Sequence, residues 1–352
     1  MGANVSVSVP RLVDGVARIL QGAGVAHDDA RTVASSLVAA DQEGISSHGV
    51  MLVPLYVKRL LVGSVAAGAK PTIVSDSDNA IVIDAQHVLG QISSTFAVEL
   101  ASSRATRYGM ASVAVRNGFH FGTGSRWAGM LARQGLVGVA MSNTRPLMPA
   151  PGGAQAVVGN NPLAIGLPAE EGAPLVLDMA MSASAMGKIR LAQARGENIP
   201  ADWATDANGA LTTDPAAAIK GMLLPAAGPK GFGLAVMVDL LCGGLANGGV
   251  GNAVKPLYGD ATDPYGCSHF FLAIDVNRFL PIEQFRTTVS ALSSQIRSSR
   301  RAPGVEQLYM PGDIAAHQAQ LNCDFVTLPV ELLGELDQSA RSVGIAPPSL
   351  TE

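Results

Sequence analysis

Two histidines stand in stretches built for proton transfer. Ser46-Ser47-His48-Gly49 follows the helix-stopping Gly44 and precedes an apolar helix with Pro54 near its start. An imidazole titrates near neutral pH, so His48 can exchange a proton with a substrate hydroxyl or with Ser47, whose hydroxyl can equally cap the helix. Asn117-Gly118-Phe119-His120-Phe121-Gly122-Thr123-Gly124 falls between the strand expected over 111–116 and a helix starting near Ser125. Strand, glycine loop and helix make an anion cradle, because free N–H groups and the helix dipole favour negative charge there. A cofactor phosphate is therefore expected against Phe121–Gly124, with His120 beside it; the bland alternative is a tight turn. The spacing is not the dinucleotide fingerprint, since Trp127 stands where the third glycine belongs, and a Rossmann fold is excluded on that ground.

Three further stretches offer charge. Lys230, in Gly228-Pro229-Lys230-Gly231, opens an apolar helix and suits a phosphate, although it lacks Walker spacing. Arg145, in the loop Asn143-Thr144-Arg145-Pro146 at a strand end, carries a fork shaped for a carboxylate. Asp178, ending the strand Leu175–Leu177, can contact a ribose hydroxyl or cap the next turn.

The elements that position these residues read as follows. Residues 10–62 are helical, and Thr72–Ser75 with Ala80–Asp84 form a hairpin. Gln91–Tyr108 is a helix. Ala111–Arg116, Leu136–Ser142, Leu163–Leu167, Leu175–Met179 and Phe270–Val276 are strand-length apolar runs of one buried sheet. Ser125–Gln134, Gly231–Leu245, Phe285–Arg297 and Pro329–Val343 read as helices. With 24 Lys+Arg against 28 Asp+Glu and 48% hydrophobic residues, a basic nucleic-acid binder and a disordered chain are both excluded. Cys242, Cys267 and Cys323 are too few and too scattered for a disulfide framework or a zinc site, so a cytoplasmic protein without a structural metal is expected. No apolar stretch spans or targets a membrane.

Taken in order, Ser47-His48-Gly49, Tyr56-x-x-Arg59-Leu60, His120-Phe121-Gly122, Gly159-Asn160-Asn161-Pro162-Leu163, Asp178-Met179-Ala180, Gly187-Lys188, Thr212-Thr213-Asp214-Pro215 and Leu224-Pro225 through Lys230-Gly231 form a specific set. Over about Val9 to Val343 the chain resembles the malate/L-lactate/sulfolactate dehydrogenase-like family, which includes ureidoglycolate dehydrogenase and Δ1-piperideine-2-carboxylate reductase. The resemblance implies an α/β, non-Rossmann fold whose central mixed, largely antiparallel sheet binds NAD or NADP, flanked by helical N- and C-terminal regions, usually in a homodimer. It divides the chain into a helical region 1–70, sheet and helix over 71–115, an NAD(P)-binding part 116–280 and C-terminal helices 281–352. It implies hydride transfer between nicotinamide and a small 2-hydroxy or 2-oxo acid. His120 resembles the general base, and Ser47 and His48 resemble the relay and donor of the imine-reducing branch. Phe121, Gly122, Thr123, Gly124, Thr144, Asp178, Met179, Ala180 and Lys230 match cofactor contacts. Thr288, Ser290 and Pro311-Gly312-Asp313 match more loosely.

Three departures from the family pattern bear on substrate. Leu52 replaces an arginine that grips the carboxylate, Asn160 replaces a threonine, and Lys188 stands where the imine-reducing branch has an acid. Arg145 is accordingly expected to take the carboxylate, with Leu52, Leu147 and Met148 as apolar walls and Asn160 as a polar contact. The alternatives are a reductase of cyclic imino acids and a nucleotide-binding protein without catalysis.

Overall fold

The computed structural model describes residues 3–170 and 173–350. Among these, seven strands form one central sheet in the order Thr72–Ser77, Ala80–Asp84, Met110–Gly118, Cys267–Asp275, Leu136–Ser142, Leu163–Leu167, Leu175–Met179. Every neighbouring pair is antiparallel except Ala80–Asp84 with Met110–Gly118, which run parallel. The inner strands are short runs rich in Val, Ile and Ala bounded by turn residues, as strands covered on both faces are, whereas the edge strand Thr72–Ser77 is exposed throughout. On one face pack Ala97, Val98 and Ala101 of the helix Gly90–Tyr108 and Trp127 and Leu131 of the helix Gly124–Arg133. On the other face Val238, Cys242 and Ala246 meet Ala114 and Phe270. Val238 comes from the helix Pro229–Asp239 and Cys242 from the π-turn Leu240–Gly244 that continues it, with Ala246 two residues beyond that turn.

A second core belongs to the N-terminal helices Val9–Gly22, His27–Gln42 and Val53–Val62, closed by Val326, Leu328 and Leu336 from the far end of the chain. The helical reading began at residue 10 and placed no strand ahead of it. Asn4–Ser8 pairs antiparallel with Phe325–Pro329, so the two ends of the described chain share a ribbon.

Two polar joints hold the site's frame. At the end of the Ala80–Asp84 strand the Asp84 carboxylate accepts from Arg116 Nε at 3.0 Å, Asn117 Nδ2 at 3.0 Å and Gln86 N at 2.9 Å. Together these donors hold its carboxyl below the usual carboxylate range against the opposing effect of burial. They also fix Asn117 in the left-handed conformation, φ 52°, from which the His120 loop departs. At the second joint Arg59, with no exposed surface, donates to the carbonyls of Asp263 at 2.7 Å, Leu257 at 2.9 Å, Pro256 at 3.1 Å and Ala261 at 3.4 Å. A buried guanidinium is tolerable only with its donors satisfied, and here peptide carbonyls satisfy it.

Candidate active site

The chain from Ser46 to Leu52 is two consecutive 3-10 turns, followed by the helix Val53–Val62. Ser47 therefore caps no α-helix. Its hydroxyl lies 3.0 Å from His48 Nδ1, as a relay would require. Beneath the turn, the buried Asp41 carboxylate accepts the Val50 N–H at 2.8 Å and sits so close to Gly49 that no side chain fits at that position. Burial pushes the Asp41 carboxyl up to about 6 from 3.8.

That shift gives a pH prediction. A raised folded-state pKa means that the native protein binds the proton more tightly than the unfolded chain. Asp41 thus contributes most below pH 4, and its contribution is lost as pH rises toward its folded value of about 6. Asp41→Asn keeps an acceptor for Val50 and removes the buried charge. It is expected to raise thermal stability at pH 8 by an amount on the order of 3 kcal/mol for about two pKa units, and at pH 5, midway between the unfolded and folded values, by about half as much. Melting curves of both proteins at the two pH values check it; equal gaps would dismiss the titration.

The His48 and His120 rings stand 5.3 Å apart, tilted by 36°. Burial, with His48 and His269 nearby, holds His120 well below 6.5, and burial lowers His48 as well. Both rings are neutral at pH 7. Tyr56 Oη lies 2.7 Å from His120 Nδ1 and receives Gln91 Nε2 at 3.2 Å. Gln91 and Tyr56 are both fully buried. The loop is pressed from below, since a Cβ on Gly90 would come 2.2 Å from Phe119 O and 2.5 Å from His120 O.

The glycine loop is more closed than the spacing suggests. Phe121 is 2% exposed and stacks on the buried His269 at 4.6 Å, so it is a core ring and offers no face to a cofactor. The start of the Gly124–Arg133 helix is no open phosphate cradle, because the Asp178 carboxylate accepts the Ser125 N–H there at 2.7 Å. An anion of the chain's own already uses that N-terminus. Gly122, at φ 83°, makes the turn, while Thr123 and Gly124 are buried within it. Leu52 is likewise 1% exposed and belongs to the N-terminal core, so it packs and does not form an open wall.

Other expected contacts converge along the ends of adjacent strands. Thr144 Oγ1 donates to Asn160 Oδ1 at 3.0 Å, and Thr144 N donates to the buried Asn161 Oδ1 at 2.9 Å. Asn143, fully buried, donates to Asp239 at 2.7 Å and to Gly249 O at 2.7 Å, tying the loop to the helix behind it. Arg145 is exposed, and its guanidinium donates to Pro146 O at 3.3 Å. It lies near enough to Tyr265 to oppose the burial that raises that phenol, and Tyr265 packs edge-on to Phe119 at 5.8 Å. Ala226 N donates to Met181 O at 2.8 Å, and Ser182 bridges Pro225, which brings Met179-Ala180 beside the turn carrying the exposed Lys230.

Ser290 lies apart from the histidines, in a groove of about 460 Å³ along the outer edge strand lined also by Leu175, Arg297, Gly312 and Asp313. Gly312 abuts the strand there, since a Cβ would stand 2.9 Å from Val176 O. Thr288 is exposed and its hydroxyl turns back onto Gln284 O at 2.9 Å, outside the groove lining.

The donor set fits a nicotinamide dinucleotide: an acceptor carboxylate at Asp178, an exposed ammonium at Lys230 near a helix start, and a groove continuing along the strand that carries Asp178. Comparison with known proteins agrees. The sequence profile described as malate/L-lactate dehydrogenase matches residues 7–336. The chain is 33% identical over 351 residues to malate dehydrogenase of Pyrococcus abyssi, covering 96% of each chain. It is 36% identical over 300 residues to the NAD(+) ureidoglycolate dehydrogenase of Escherichia coli O157:H7, covering 84% of this chain and 85% of that one. The solved sulfolactate dehydrogenase of Methanocaldococcus jannaschii superimposes with a TM-score of 0.93 at 31% identity, covering 99% of this chain and 100% of that one. Fold and relatives together define an NAD(P)-dependent oxidoreductase of hydroxy acids. The chain belongs to the malate/L-lactate dehydrogenase family.

Proposed function

We propose that the protein oxidises a small 2-hydroxy acid of the malate, lactate, ureidoglycolate or sulfolactate type, or reduces its 2-oxo counterpart, with His120 as the proton carrier. The observation that carries this reading is the neutral, half-buried His120 ring, held at Nδ1 by Tyr56 and set 5.3 Å from His48. Bound nicotinamide supplies the two-electron acceptor or donor. His120 takes the hydroxyl proton during oxidation, which a ring neutral at pH 7 can do without first losing one. Ser47 and His48 lead a proton between that pocket and solvent. Thr144, Asp178, Met179, Ala180 and Lys230 hold the dinucleotide, whose adenosine end is assigned to the groove with Ser290 and Asp313.

Arg145 anchors the substrate carboxylate, supported by its exposed guanidinium, which has no carboxylate partner among the described residues and lies near Tyr265, and Asn160 offers its amide. Arg145→Met is expected to raise the substrate KM at least tenfold, as loss of a charge-assisted pair costs about 1.5–3 kcal/mol, while the Kd for NADH stays within twofold. Steady-state kinetics and a fluorescence titration check it; an unchanged KM would refute the anchor. Assays of the purified protein with 2-hydroxy acids, 2-oxo acids and Δ1-piperideine-2-carboxylate, each with both nicotinamide cofactors, test the reaction. Turnover of only the cyclic imine would overturn the hydroxy-acid assignment, and cofactor binding without any turnover would overturn catalysis.

We also propose a cytoplasmic homodimer. Among the described residues no helix is long and apolar enough to cross a membrane, and Cys323 remains an exposed free thiol. Leu234, Met237, Leu240 and Leu245 expose 49–57% of their surface on one helix, a face suited to a second copy. Sedimentation of Met237→Glu against the parent chain checks the dimer; an undisturbed dimer would remove this face from consideration.

A further inference from the structure

We infer that Tyr56, anchored by Gln91, keeps the His120 ring in its Nδ1–H form, so that Nε2 stands bare to receive the substrate proton. This rests on the reading of His120 as proton carrier and adds what makes the ring able to act. Three contacts meet at one hydroxyl: Gln91 Nε2 at 3.2 Å, His120 Nδ1 at 2.7 Å and the His120 carbonyl at 3.4 Å. A phenol has one proton and two lone pairs. Burial raises the Tyr56 phenol, so the proton stays on it. The amide N–H of Gln91 takes one lone pair. If the phenol gave its proton to Nδ1, the neutral ring would carry hydrogen on Nε2, nothing could be accepted there, and the contact to the His120 carbonyl would be unmade. With the proton turned to that carbonyl, the second lone pair accepts Nδ1–H and all three contacts are used.

The same arrangement serves the protonated ring. At 2.7 Å the Nδ1 to Oη separation is that of a charge-assisted N–H···O bond, so the imidazolium formed when His120 takes the proton finds its acceptor in place. No atom has to move except the proton that the substrate gives up. Gln91 is the second residue of the helix Gly90–Tyr108 and has no exposed surface, so its amide is fixed by packing. Tyr56 is braced edge-on against Phe119 at 5.2 Å, and that contact survives loss of the hydroxyl. Both are positioning residues, acting through His120. The other ionisable groups bearing on the ring are His48 and His269, and neither is an acceptor for Nδ1 among the contacts seen.

The test uses full-length protein labelled with ¹⁵N at its six histidines, the His120 signals being assigned by their loss in His120→Asn. At pH 7, long-range ¹H–¹⁵N spectra are expected to show His120 protonated at Nδ1 and bare at Nε2. In Tyr56→Phe the ring is expected to become a mixture of both forms, with kcat down about tenfold for the one hydrogen bond lost and substrate KM within twofold. Gln91→Met, which leaves the phenol in place, is expected to shift the mixture in the same direction and by less. Nε2–H in the parent protein, or an unmixed Nδ1–H ring with full kcat in both variants, would overturn the inference. Full activity of His120→Asn would instead overturn the assignment of His120 itself, whatever the state of its ring.

Discussion

Replacing His120 with asparagine is expected to lower kcat/KM for the hydroxy acid by about 10²–10⁴-fold, the range a positioned general base supplies. Asparagine is of similar size and can keep a hydrogen bond to Tyr56, but it cannot carry a proton. Cofactor affinity is expected to stay within twofold, because Thr144, Asp178 and Lys230 lie on other elements. The pH dependence follows from the ring's surroundings. Burial and the neighbouring His48 and His269 hold His120 well below 6.5, so the parent enzyme keeps its base form through neutral pH and loses activity only on the acid side of that depressed value. The variant is expected to lack this acid limb. Stopped-flow measurement of nicotinamide reduction from pH 5 to 9 separates the chemical step from product release; a residual rate within threefold of the parent would move the proton carrier to His48.

The second large effect is expected at a glycine. In Gly90→Ala the new methyl would lie 2.2 Å from Phe119 O and 2.5 Å from His120 O, both backbone atoms with no rotamer to yield. Either the helix Gly90–Tyr108 shifts, or the peptide carrying His120 does. Overpacking of this kind costs about 1–3 kcal/mol. Displacing a catalytic ring by about an ångström costs up to 10²-fold in rate, so kcat is expected to fall further than stability alone explains. Activity measured 15 °C below the variant's own melting temperature isolates the two. A variant with normal kcat there would show that the loop absorbs the methyl elsewhere. Gly122→Ala provides a contrast, because its strain comes from φ 83° and its nearest contacts, Ser36 Oγ at 3.5 Å and Gln91 Nε2 at 3.8 Å, leave room for the methyl.

Much of this frame was legible from composition and period. Leu136–Ser142, Leu163–Leu167 and Leu175–Met179 agree residue for residue with the expected strands, because each is an apolar run bounded by turn residues. The helices around them shift by a few residues at their ends. The ribbon of Asn4–Ser8 with Phe325–Pro329 was not, since each strand has only five residues and its partner lies at the other end of the chain. The alternation of Val5 and Val7 against Val326 and Leu328 was the available signal. The strand Cys267–Asp275 begins three residues before the expected Phe270, which hid His269 and its stacking on Phe121.

At the site, chemistry-bearing residue types drew attention where they stood near glycines, as His48, His120 and Lys230 do, or on a loop ending an apolar strand, as Arg145 does. Asp41 and Gln91 escaped because they sit within or beside apolar runs, where a polar residue reads as an exposed position, and Asn143 reads as a turn residue at a strand end. All three are buried: Asp41 holds the backbone of the turn nine residues on, while Gln91 and Asn143 spend polar atoms on side chains distant in sequence. Only the fold reveals such pairings. Burial is the other thing that sequence position does not show: Phe121 and Leu52, expected beside the ligands, have their side chains packed in the two cores.

Arg59 and Asp84 imply an order of events on acidification. The Asp84 joint depends on a carboxylate whose depressed folded pKa lies under 3.8; its support is complete above that unfolded value and fades as pH falls through the folded one. Arg59 answers instead to four peptide oxygens, which do not titrate. In acid, the strand end that launches the His120 loop should therefore come undone while the Pro256–Asp263 flap is still fastened to its helix, leaving a half-opened molecule with one hinge intact.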